Sequence, residues 1–306
     1  SGYNPITGTY ATDGHTVALT LDSSLCVTAY EALAGRKGAV LVSNYKTGEV
    51  LCMVSGPSID PAVDGDVPDG AYINRCINGS FTPGSIYKLI TSAAALENIK
   101  DISTRRFTCA GSVDVGGVTV KCTGVHGSQT FEDALANSCN CVFAQLAVEL
   151  GGSTLSSYAQ QAGLLDGGSV SGIDTAAGTY VISENDSEVG WSGVGQHEDL
   201  VCPANLMTLM GAVANAGRPV LPHLIYKETD LAGLTLYRDN TGHGSRTFSR
   251  ATCETLKEMM ANNVAVTYGQ ENFGELKLCA KSGTAEVGDA SPHAWFAGFL
   301  DDADHP

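Results

Sequence analysis

The chain has 306 residues, 43% of them hydrophobic, with 17 basic against 33 acidic side chains and a formal net charge of −16. That length suits one large domain or two modest ones with a sizeable core. The acidic balance argues against nucleic acid as a partner, because phosphate binding needs a basic surface, and no run of about 18 apolar residues exists to span a membrane.

The chain opens at Ser1 in a polar, Gly-rich stretch with no signal peptide. It reads as a soluble piece of something longer. Residues 1–15 show no periodicity, and residues 17–21 read as a short strand. Asp22 or Ser23 then caps a helix with Leu25, Ala29, Tyr30 and Leu33 on one side. Residues 39–43 and 50–55 are β-prone runs around Asn44-Tyr45-Lys46-Thr47-Gly48, a hairpin signal. Residues 56–80 are loop-rich.

Residues 81–97, FTPGSIYKLITSAAALE, form the central element. Thr82 can cap a helix and Pro83 suits its first position, where no amide hydrogen is needed. Ile86, Leu89, Ile90, Ala93 and Ala94 then mark one apolar helical face. Ser85 falls in the first turn, with Lys88 one turn above it on the same side. The positive end of the helix dipole favours an alkoxide there. A buried Lys88 that has lost its proton can take the hydrogen of Ser85.

SVDVGGVTVK follows as a hairpin with Gly116-Gly117 at its turn. Residues 129–149 are helix-prone with a break near Ser138. The second half carries Val142, Phe143, Leu146, Ala147 and Leu150 on one face, and Gly151-Gly152 stops it. A short helix is expected over 153–163, little regular structure over 166–198, and a strong helix over 203–216. Strand-like runs surround Leu224 and Leu234, a helix covers 252–264, and residues 275–286 and 293–300 form a last hairpin. Strands at both ends with helices between them predict an α+β fold, an α/β sandwich. An antiparallel β-sheet is covered by helices, and an all-helical lobe is inserted between its halves.

Of the ten cysteines, Cys26, Cys52 and Cys279 lie in apolar runs and read as small core residues. Cys109 and Cys122 flank the Gly116-Gly117 hairpin, so a disulfide across paired strands is expected. Cys139 and Cys141 stand two apart with no partner pair at finger spacing, so no metal site is expected.

Three short patterns carry chemistry: Ser85-x-x-Lys88, Ser138-Cys139-Asn140 and Lys281-Ser282-Gly283-Thr284. Each has a decoy in the same chain: Ser43-x-x-Lys46, Ser183-Glu184-Asn185 and Lys46-Thr47-Gly48. Context separates them. Ser43 ends a strand, and residues 46–48 are a hairpin turn, where turn chemistry explains them. Ser183 lies in a polar loop region. Ser85, by contrast, opens a helix, and Ser138 and Asn140 sit at a helix break where polar side chains can face a cleft. Lys281 ends an apolar strand in which Gly283 lets a ligand approach the backbone. His126, His197, His223 and His293 sit in no recognisable acid–base pairing, and no G-x-S-x-G elbow surrounds a serine.

In this order the three patterns resemble those of the penicillin-binding proteins and serine β-lactamases. KTGEVLCMVSGPSIDP resembles the early hairpin of class B penicillin-binding proteins, and FTPGSIYKL their nucleophile segment. GVGQHEDLVCPANLMTLMGAVANAG is similar to the stretch between their second and third motifs, and KSGTAE followed by HAWFAGF to their paired central strands. The likeness covers most of residues 17–300.

That resemblance implies a β-lactamase/transpeptidase-like fold and a peptidoglycan D,D-transpeptidase inhibited by β-lactams. Ser85 attacks the penultimate D-Ala carbonyl of a stem peptide, and Lys88 is the base. Ser138 relays a proton to the leaving amine, Asn140 holds the substrate backbone, and Lys281 supplies positive charge. Ser282 and Thr284, around Gly283, bind the terminal carboxylate. The backbone amides of Ser85 and Thr284 form the oxyanion hole. No cofactor and no metal are implied. The implied partners are stem peptides, β-lactams and other cell-wall synthesis proteins, at the outer face of the cytoplasmic membrane.

A D,D-carboxypeptidase shares all three motifs, and a β-lactam sensor would acylate once. A β-lactamase needs a water-activating base, and no Glu loop like that of class A enzymes is visible between Asn140 and Lys281. Two departures stand out. Residues 1–16 read as an N-terminal extension, the tail of a pedestal whose anchor is absent. Residues 17–306 read as a transpeptidase domain ending before the family's last strand and closing helix.

Overall fold

Asp22 accepts a hydrogen bond from the Leu25 amide at 3.0 Å, and that cap starts the first helix, Ser23–Leu33 (α1). The computed structural model describes residues 3–4, 9–10, 14–60, 62, 64–238, 240–288 and 290–306, with side chains for all of these except 3, 4, 9, 10 and 290. The readings of residues 1–15 and of a 1–16 extension therefore fall largely outside the described residues. Before α1, Thr16–Leu19 (β1) pairs antiparallel with Ile225–Thr229.

Gly38–Ser43 (β2) and Val50–Gly56 (β3) form the expected hairpin, with Val42 opposite Cys52. Asn44 closes its turn by accepting from the amides of Lys46 and Thr47. The last hairpin forms as Leu278–Val287 with Ala290–Leu300, its first strand shorter and its second longer than expected, and sets Lys281 opposite Ala297. The two hairpins lie in separate ladders. Tyr45 joins them by donating to Leu300 O at 3.0 Å, and the helix Pro203–Ala214 (α7) packs against both.

The centre of the molecule is Lys88–Asn98 (α2), in which every residue from Lys88 to Ala95 is buried. A helix covered on all sides belongs inside a core. It packs against Asn140–Leu150 (α4), Gly152–Gln161 (α5) and Arg250–Asn263 (α8). Between α2 and α4, Phe131–Ala136 (α3) starts on a reciprocal Thr130–Asp133 capping box. It ends two residues before Ser138, so the expected break is present. Ser249 caps α8 through the Thr252 amide at 3.1 Å. Fold class and inserted helical lobe are as the sequence implies. No helix among the described residues is long and apolar enough to cross a membrane.

Two expectations are corrected. Residues 166–198 contain the helix Asp186–Gly193 (α6), capped by Asn185 and packed on α4. Its Gly- and Ser-rich composition has low helix propensity, and packing overrides it. The second correction concerns Cys109 and Cys122, which are free thiols like all ten cysteines. The Gly116-Gly117 hairpin forms as Ser112–Val115 with Val118–Lys121, but Cys109 lies outside it. Cys109 instead ends a strand, Phe107–Cys109, that pairs with Gly127–Gln129. The Cys122 amide bonds Gly111 O, so the two sulfurs are not cross-strand partners.

Candidate active site

Ser85 sits in a 3-10 turn, Gly84–Tyr87, that leads directly into α2. Pro83 occupies the cap position, and Thr82 makes no side-chain cap. Two glycines let the turn lie against the Leu278–Val287 strand. A Cβ on Gly84, where φ is +54°, would overlap Thr284 O, and one on Gly283 would lie 2.8 Å from Pro83 O. The Thr284 backbone is thereby held beside the Ser85 turn. Trp295 Nε1 donates to Thr82 O at 2.9 Å and ties the neighbouring strand to the same turn.

Lys88 connects the first two motifs. Its Nζ lies 3.0 Å from Ser85 Oγ, 3.1 Å from Ser138 Oγ, 2.6 Å from Ser138 O and 2.7 Å from Asn140 Oδ1. The ammonium is fully buried, over the face of Phe143. Burial, and after it the charge of Lys281, lowers its pKa well below the ordinary lysine value.

Ser138 connects the second motif to the third. It adopts φ +51°, a left-handed conformation rare outside glycine, at the junction of α3 and α4. That turn points its Oγ at both Lys88 and Lys281, and Lys281 Nζ lies 3.1 Å away. Lys281 also donates to Ser282 O at 2.8 Å, and burial brings its pKa down to about 8. Asn140 is oriented by donation from Nδ2 to Lys121 O at 2.9 Å. The structure thus brings together Ser85, Lys88, Ser138, Asn140 and Lys281, with Ser282, Gly283 and Thr284 along the adjoining strand.

The decoys are elsewhere. Lys46 Nζ bonds Asn215 Oδ1 in the hairpin turn at 2.8 Å, and Ser183 Oγ bonds Glu188 at 2.6 Å beside the α6 cap. Sequence reading missed two neighbours of the third motif. The Tyr268 hydroxyl accepts from the Ser282 amide at 2.8 Å and bonds Ser282 Oγ at 3.1 Å. Gln196 donates to Thr284 O at 3.2 Å and accepts from the Glu286 amide at 3.3 Å. Nothing local to either residue marks it, because its role depends on a strand distant in sequence.

A helix-borne serine and buried lysine on an α+β frame with this third motif define the class of the penicillin-binding proteins and serine β-lactamases. The family model for the penicillin-binding protein transpeptidase domain matches residues 38–306, and the chain belongs to that family. Among curated relatives, the peptidoglycan D,D-transpeptidase PbpA of Mycobacterium tuberculosis strain H37Rv is 28% identical over 292 residues, covering 86% of this chain and 59% of that protein. Stage V sporulation protein D of Bacillus subtilis is 29% identical over 292 residues, covering 90% of this chain and 45% of that protein. The chain therefore spans about half the length of these relatives. Among solved structures, a ceftriaxone acyl-enzyme complex of M. tuberculosis penicillin-binding protein A superposes with a TM-score of 0.88 at 25% identity. It covers 97% of this chain and 73% of that one. A D,D-transpeptidase domain from Eggerthella lenta superposes with a TM-score of 0.86 at 25% identity.

Proposed function

We propose that the chain is a serine D,D-transpeptidase domain, spanning residues 17–306, that cross-links peptidoglycan stem peptides and is acylated by β-lactams. The observation that carries this reading is the buried Lys88 amine 3.0 Å from Ser85 Oγ. Lys88 removes the hydroxyl proton as Ser85 Oγ attacks the penultimate D-Ala carbonyl. The developing oxyanion meets the backbone amides of Ser85 and Thr284, a kind of donor worth roughly 3 kcal/mol of barrier. Ser138, touching both lysines, relays the proton to the leaving D-Ala amine. Asn140 holds the stem-peptide backbone, while Lys281, Ser282 and Thr284 receive its terminal carboxylate. The amine of a second stem peptide then takes the acyl group. The setting is the outer face of the cytoplasmic membrane, among other cell-wall synthesis proteins.

Mass spectrometry after mixing with a β-lactam, followed over time, tests this. One long-lived adduct on the Ser85 peptide is expected. Rapid return of unmodified protein means a β-lactamase, and no adduct refutes the reading.

The acylation rate should be bell-shaped in pH. The base must be neutral, so the rate rises as Lys88 loses its proton, well below pH 10.5. The carboxylate partner must be charged, so the rate falls as pH rises through about 8, where Lys281 deprotonates. Lys281→Arg keeps its charge throughout and should remove that alkaline limb. An unchanged limb in the variant would assign it to another group.

A further inference from the structure

Three thiols and one imidazole converge directly behind the Ser138 turn. Cys109 ends the strand Phe107–Cys109, Cys122 follows Val118–Lys121, His126 precedes Gly127–Gln129, and Cys139 is the N-cap of α4. No two of their donor atoms are more than 4.8 Å apart. Cys122 Sγ lies 3.8 Å from Cys139 Sγ and 3.6 Å from His126 Nδ1. A tetrahedral zinc with bonds of about 2.3 Å to sulfur and about 2.0–2.1 Å to nitrogen has S···S edges of about 3.8 Å and S···N edges of about 3.5–3.6 Å. Two edges already have those lengths, and the widest must contract by about 1 Å.

The surroundings suit anionic sulfur. Gln129 Nε2 donates to Cys139 Sγ at 3.1 Å. Cys109 and Cys139 are 1% and 0% exposed, so the donors lie in an interior where metal-bound sulfur is shielded from solvent. Cys122 and His126 are half-buried.

We propose that Cys109, Cys122, His126 and Cys139 bind one zinc ion, which fixes the Ser138–Asn140 wall of the active site. Four protein ligands close the coordination sphere, so the metal is structural and touches no substrate. Binding releases the protons of three thiols and takes the neutral imidazole of His126 through Nδ1. The ion ties Cys139 to two separate strand ends and a loop. Its chain neighbours, Ser138 and Asn140, are the residues that hold Lys88. The signal escapes sequence inspection because the ligands come from four elements, with no pair at finger spacing.

The test uses the whole chain, reduced without oxygen, equilibrated with Zn²⁺ and freed of excess metal. Elemental analysis should find about one zinc per chain. Cobalt substitution should give the near-ultraviolet thiolate-to-metal band and the visible bands of a tetrahedral site. His126→Ala and Cys122→Ser should lose the metal, and Cys253→Ala, at a buried thiol on another helix, should keep it. His126 is only partly buried, so its variant remains informative if Cys122→Ser fails to fold. Gln129→Leu should weaken metal affinity about 10–100-fold. Metal-free protein with reduced thiols after this treatment overturns the proposal. So does peptide mapping of the protein as isolated that finds Cys122 joined to Cys139 in a disulfide. Removing the zinc should also slow acylation of Ser85, by about 10²-fold for a displacement of order 1 Å. An unchanged rate in folded, metal-free protein would overturn the positioning role.

Discussion

Ser85→Ala is expected to abolish covalent labelling by a fluorescent penicillin while the protein stays folded. The side chain is half-buried, and its only described hydrogen bond is to Lys88, so its loss leaves little unsatisfied. Ser138 is the rival nucleophile, because its Oγ is also 3.1 Å from Lys88. Two features favour Ser85. It lies in the 3-10 turn that leads into α2, at the positive end of the helix dipole, which stabilises an alkoxide, and the Thr284 backbone lies against that turn. Ser138→Ala should therefore label more slowly but still label. Ser43→Ala and Lys46→Ala should label normally. Residual label on Ser138 in the Ser85→Ala protein would reverse the two roles.

Lys88→Met should lower the acylation rate by about 10²–10⁴-fold, the range removed with a general base. Met has nearly the length of the lysine stem and packs flexibly, so the core around Phe143 stays filled. The exchange has two opposing effects on stability. It relieves the burial of an amine, and it leaves Ser138 O and Asn140 Oδ1 without that donor, at about 1–3 kcal/mol for an unpaired buried group. The rate should accordingly be read per folded molecule. A loss below about tenfold would mean that Lys281, acting through Ser138, serves as the base.

The sequence made the chemistry easier to read than the frame. Ser85 and Lys88 are close in sequence, so helical geometry alone placed them together. The break near Ser138 was read from the polar Ser-Cys-Asn run inside a helix-prone stretch, and context set aside Ser43 and Ser183. Hairpins over 38–56 and 112–121 were local events with turn residues of their own. What was not legible depended on distant partners. Tyr268 reaches Ser282, and Gln196 reaches Thr284, only after α8 and the last hairpin are in place. The α6 helix depends on packing against α4, which no pattern within 186–193 announces. Cysteine pairing failed for the same reason: flanking a hairpin placed Cys109 and Cys122 near each other, but their backbones entered different ladders.

The crowding of Gly84 by the Thr284 main chain, and of Gly283 by Pro83 O and the Ile86 amide nitrogen as well as the Ile86 side chain, restricts what an antibiotic-exposed lineage can try. A crowded side chain can be accommodated by a second change in its neighbour, but a crowded carbonyl cannot be trimmed. Libraries selected for survival on β-lactams should leave both positions untouched.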